Sequence, residues 1–215
     1  MATTKIEASN IATGAVPSTG FTSVQVITAT STWTKPTDIT KIIVEVQGAG
    51  GAGCKSQTNT TKGTSGGGGG YAKKFLDVTN TTKATATIGS GGAAQTSNDT
   101  AGAAGGLSKF EEHTGSGGWT DVIGNGGNGG TFTAYGMVLG GTATGGDVNI
   151  PGGTGTGGGM GEYGGDSMLG RAGGIMWTGQ LTSNIATGYG SGGGGSYQLT
   201  SGAGMNGIII VWEFK

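Results

Sequence analysis

The sequence predicts a mostly β protein. β-Sandwich-like strands come from both chain ends, a glycine-rich (polyglycine II-like) core of packed helices lies between them, and there is essentially no α-helix. Three observations predict this. All but two of the 53 glycines, Gly14 and Gly20, fall between Gly48 and Gly207, which makes that stretch roughly a third glycine against about 7% in ordinary proteins. Within it glycine recurs with a period of three. No segment offers apolar residues at helical spacing without a glycine cutting through it.

Residues 1–30 read as an attachment arm and first strand, and 31–215 as a single glycine-rich domain. Met1–Gly20 is polar and patternless, with a Pro17-Ser18-Thr19-Gly20 turn signal. Phe21–Thr30, rich in Val, Ile and Thr, reads as a strand that leads to a Trp33-Thr34-Lys35-Pro36 corner. Lys41–Gln47 alternates, with Ile42, Val44 and Val46 on one face. Tyr71–Val78, Ala84–Ile88, Leu107–Glu111 and Ile208–Phe214 complete the strand set, the last with Ile208, Ile210, Trp212 and Phe214 on one face.

Between these strands the glycine could form a flexible linker. Large apolar residues such as Ile123, Phe132, Met137 and Leu139 stud the glycine runs and argue against that. So does the register: two GAG triplets over 48–53, two GGX triplets over 126–131, and Gly152, Gly155, Gly158, Gly161 and Gly164, broken at Ser167 and resumed at Gly170 and Gly173. Three residues per turn is the repeat of the polyproline II helix, which makes no internal hydrogen bonds. Collagen does not fit, because Pro151 is the sole proline after Pro36. Helices with two bare faces per turn pack on several sides and satisfy their backbone groups laterally. The expectation is a stack of such helices, about 5–9 residues each, joined by loops.

Charge narrows the function. Eleven basic and twelve acidic residues leave a net charge of −1, with no basic stripe, so nucleic acid is disfavoured as a partner. No apolar run reaches the length of a membrane span, and Met1–Asn10 carries no secretory h-region. Cys54 is alone, so there is no internal disulfide framework, and a buried or idle thiol is the expected reading.

Motifs that resemble chemistry weaken on inspection. Gly48-x-Gly50-x-x-Gly53 follows a strand like a dinucleotide fingerprint, but Cys54–Thr61 is a poor helix and no acidic residue stands at the required distance. No cofactor is expected. His113 is the only histidine, in a polar Glu111-Glu112-His113-Thr114 turn, and one histidine with one cysteine cannot make a structural zinc site. Asp121, Asp147, Glu162 and Asp166 are scattered. No catalytic residue and no metal ligand is expected, and the chain reads as a non-enzyme.

The aromatic residues that interrupt the triplets carry more. Trp119, Tyr135, Tyr163, Trp177 and Tyr189 fall where a rigid stack would turn, and loops on a rigid scaffold are where binding residues concentrate. These five are the candidate receptor-binding residues. The bland alternative for each is a cap that shields the glycine backbone.

From Thr32 to the C-terminus the sequence resembles the glycine-rich domain of bacteriophage tail fibre proteins, including the receptor-recognising adhesins at long-tail-fibre tips. The resemblance rests on Thr32-Trp33-Thr34-Lys35-Pro36 leading into Ile42–Gly53, on Gly66–Gly70 followed by Tyr71-Ala72, and on Ala86–Gly92. Thr144–Gly153 and Gly204–Glu213 follow in the same order. It implies a virion protein, made in the host cytoplasm, whose packed polyglycine II helices display receptor-contacting loops. Its implied partners are a bacterial surface glycan or outer-membrane protein, and other tail proteins through the N-terminal segment. It would act either as a monomeric tip or within a homotrimer, with neither nucleic acid binding nor membrane insertion. The competing expectation is a structural virion protein, a decoration or baseplate spacer, without receptor binding. An ice-binding protein lacks its regular Thr or Ala row here, and a fibre-borne depolymerase lacks a recognisable acid pair.

Overall fold

The computed structural model describes residues 20–57, 63–113, 118–132, 136–157, 163–174 and 186–215. Among them there is no helix of the α type, and the mostly-β class stands. Near the N-terminus lie β1 (Phe21–Ile27), β2 (Ser31–Thr34), β3 (Lys41–Gln47) and the short β4 (Lys55–Ser56). β5 (Tyr71–Asp77), β6 (Lys83–Thr87), β7 (Ser108–Glu112), β8 (Val122–Gly124) and β9 (Gly136–Val138) follow. Next come β10 (Ala143–Thr144), β11 (Val148–Ile150), β12 (Gly155–Gly157), β13 (Gly170–Arg171), β14 (Thr187–Gly188), β15 (Ser196–Tyr197) and β16 (Ile208–Phe214).

Two five-stranded sheets, β1-β16-β3-β5-β11 and β10-β8-β7-β6-β2, pack face to face. Their shared core holds Ile42, Val44, Val46, Leu76, Ile209 and Val211 from the first sheet and Trp33, Ala84, Ala86, Phe110 and Val122 from the second. The Phe21–Thr30 segment is a strand only to Ile27, after which a bend lets β2 cross to the second sheet and seat Trp33. In β16 the buried face is Ile209, Val211 and Glu213, so Trp212 and Phe214 point out of the sandwich.

The strands run directly into the glycine-rich core. β3 continues as 48–54, β8 as 125–131 and β11 as 151–155, while 63–70 continues as β5 and 201–207 as β16. In this core the backbone bonds laterally. Successive N–H groups of Gly48, Ala49 and Gly50 donate to Gly70, Gly106 and Met205. Gly51, Ala52 and Gly53 then repeat the cycle on Gly67, Ala103 and Gly202. Carbonyls of the same segment accept from Gly127, Gly92 and Gly193. A three-residue turn aims three donors and three acceptors outward, so segment 48–54 has neighbours on six sides: 63–70, 100–106, 201–207, 125–131, 89–93 and 190–195.

Segment 63–70 is surrounded in the same way, by 48–54, 125–131, 139–142, 151–155, 163–167 and 190–195. The result is an array in which each of these segments has six neighbours; the period of three predicted packed segments bonded laterally, without their arrangement. Glycine is required by closeness rather than by backbone angle: among the described glycines only Gly118, Gly145, Gly188 and Gly190 have positive φ. A Cβ on Gly51 would meet the Asn128 carbonyl oxygen at 2.1 Å, and one on Gly66 the Gly51 carbonyl oxygen at 2.1 Å.

Candidate functional site

At one edge of the array, segment 163–167 turns through Met168 and Leu169 into segment 171–174. Ser167 N–H donates to the Gly170 carbonyl (3.0 Å), and Gly164 N–H donates to the Gly173 carbonyl (2.8 Å). The period-three register breaks at this Ser167, and the break marks the turn. Between the two segments lies an open groove of about 260 Å³ lined by Tyr163, Gly164, Asp166, Arg171 and Ala172. Asp166 Oδ1 accepts from the Ala172 N–H at 2.7 Å, which fixes one carboxylate oxygen of this exposed side chain. Arg171, paired backbone to backbone with Thr187, is exposed and has no carboxylate partner among the described residues. Tyr163 is 61% exposed and Met168 58%.

Tyr189 stands beside this groove. Its N–H donates to Leu169 O (3.1 Å), and its carbonyl accepts from Ser167 Oγ at 2.5 Å. Gly188 (φ 79°) and Gly190 (φ 76°) flank it in left-handed backbone that a side chain rarely tolerates, so the chain reverses there and the ring is left outside the array. On the other side, Thr156 N–H donates to the Tyr163 carbonyl, and Thr156 pairs with the exposed Met137 across β9 and β12. Tyr163 and Tyr189, predicted from sequence as binding residues, are thus brought to one edge.

Trp119 is placed elsewhere. It stacks on Phe110 with centroids 5.5 Å apart and an interplanar angle of 13°, its indole N–H points to Thr81 Oγ1 (3.4 Å), and it packs against the sandwich core. Tyr135 and Trp177 lie outside the described residues. Arg171 was missed by sequence reasoning and Asp166 was named only as one of several scattered carboxylates; the register break at Ser167 was the signal that could have joined them.

A glycine-rich domain family model matches residues 25–211. The chain belongs to the glycine-rich domain family. No curated protein matches. The glycine-rich domain so defined runs from within β1 to within β16 and takes in both sheets and the array.

Other groups in the glycine-rich domain have structural work. In the Gly48–Gly53 motif every N–H donates to a neighbouring carbonyl, so none is left to cradle a phosphate. The Cys54 thiol is buried, and burial, with Asp99 adding to it, pushes it up to about 11. His113 is exposed, with Nδ1 3.1 Å from Thr85 Oγ1. No group of three metal-ligating side chains occurs among the described residues, nor is any helix there long and apolar enough to cross a membrane.

The groove has the elements of a recognition site. It offers an aromatic face, a carboxylate acceptor and an exposed guanidinium around a volume suited to a sugar ring or a short side chain. Such pockets bind by a few placed polar groups over an apolar floor, and Arg adds planar two-point hydrogen bonding.

Proposed function

We propose that this chain is a bacteriophage tail-fibre tip protein that binds a host-cell surface receptor, without enzymatic activity. The observation that carries the reading is the groove edge: Tyr163, Asp166, Arg171 and Tyr189 are displayed on a scaffold whose backbone bonds are spent internally, so they are presented with little conformational freedom. The tail-fibre resemblance of Thr32–Gly53, Thr144–Gly153 and Gly204–Glu213 supplies the biological setting. The receptor is a bacterial surface glycan or an outer-membrane protein. The protein is made in the host cytoplasm, joins other tail proteins through its N-terminal segment, and resides in the virion.

The second reading, a structural virion protein, is favoured by Trp119, whose ring is committed to Phe110 rather than offered to a ligand. Titration calorimetry with purified lipopolysaccharide and with detergent-solubilised outer-membrane protein separates the two. Binding to one of them, weakened at least tenfold by Tyr163→Ala, supports the tip protein. Heat-silent titrations with both support the structural role.

A further inference from the structure

The outer face of the first sheet is apolar, and no other described segment covers it. Register fixes its membership. Trp212 lies opposite Val24 and Ile43, Ile210 opposite Val26, and Phe75 opposite Ile43, while Val148 and Ile150 continue the face across β5. Phe21 folds onto it, its ring 6.1 Å from Trp212 and 6.0 Å from Phe214. Exposure is 59% for Phe21, 58% for Val26, 52% for Phe75 and 48% for Val148. Fractions of that order on these large side chains expose on the order of 700 Å² of apolar surface, beyond the few hundred Å² usual on a monomer and close to the about 800 Å² each partner gives a standard interface.

The charges on this face are already matched within it. Lys41 pairs with Asp77 at 3.0 Å. Glu45, at the centre, takes hydrogen bonds from the Trp212 indole N–H (2.9 Å) and the Tyr71 hydroxyl (2.8 Å), with Lys73 at 3.5 Å. Two acids and two bases leave no net charge, so nothing here selects an oppositely charged partner and nothing repels an identical face. An isologous contact needs such self-complementarity.

We propose that this face is where the chain associates with a second copy of itself. None of the residues of this face lines the groove of Tyr163 and Arg171. Sedimentation velocity over a range of concentrations tests this, comparing wild type with Val26→Glu/Phe75→Glu and with Leu139→Glu, a control on the array flank that is 64% exposed. The expected result is a wild-type mass at a multiple of the 20.8 kDa chain, the same mass for the control, and a single-chain mass for the double variant at an unchanged melting temperature. The proposal is overturned if wild type remains a single chain at every concentration, if the double variant associates as wild type does, or if only a different tail protein occupies the face.

Discussion

Glu213 takes a carboxylate into the sandwich at 1% exposure, with no salt-bridge partner among the described residues. Trp33 Nε1 (2.8 Å), Gln25 Nε2 (2.7 Å) and Ser23 Oγ (2.5 Å) donate to it instead, so β1 and β2 are both tied to β16 through one side chain. Buried charge without such donors would cost several kcal/mol, and removing the acceptor strands the donors. Glu213→Ala is therefore expected to lower unfolding free energy by about 2–4 kcal/mol in urea titration, with Trp33→Phe losing less. Cys54 gives a second residue-scale test. Its raised pKa keeps the native thiol neutral, so a thiol-reactive dye at pH 8 should label native protein far more slowly than urea-unfolded protein. The stability sign follows: the folded thiol holds its proton more tightly, so this contribution is complete below pH 9 and is lost as pH rises through about 11.

Among the elements, the array makes the sharpest demand on sequence. Gly51→Val places a branched side chain where the Asn128 carbonyl oxygen lies 2.1 Å from the first added carbon. The expected loss exceeds about 3 kcal/mol by thermal denaturation, whereas Gly20→Ala, with nothing within 4 Å, should be near neutral. A Gly51→Val protein that melts with wild type would remove the close-packed array from the account. The sandwich strands were legible because alternation in Lys41–Gln47 has only one structural meaning, and the array was legible from its period of three. Which segment neighbours which was not, since glycine carries no side chain to specify a partner. Nor was the burial of Glu213 legible, because it depends on Trp33, 180 residues away. Tyr163 and Tyr189 stood out as interruptions of glycine. Asp166 stood as one of several scattered carboxylates and Arg171 was not singled out, because only the turn at Ser167 sets them across one groove; Trp119 was claimed by Phe110, a pairing that spacing does not show.

At the scale of the whole molecule, a close-bonded glycine array carries the candidate groove at its edge, and the sandwich carries an apolar outer sheet face. The edge needs the array: Arg171 and Asp166 face one groove only because 163–167 and 171–174 are held side by side by lateral bonds. Loosening the array through Gly164→Ala, whose Cβ would lie 2.2 Å from the Gly192 carbonyl oxygen, should therefore weaken receptor binding as well as stability. The most direct test of receptor recognition is binding of fluorescent protein to a panel of bacterial strains that includes one lysed by virions carrying it, with Tyr163→Ala/Arg171→Ala alongside. Strain-selective binding by wild type is expected, falling at least tenfold in the double variant while its melting temperature holds. Wild-type protein that binds no strain, the lysed one included, would contradict it.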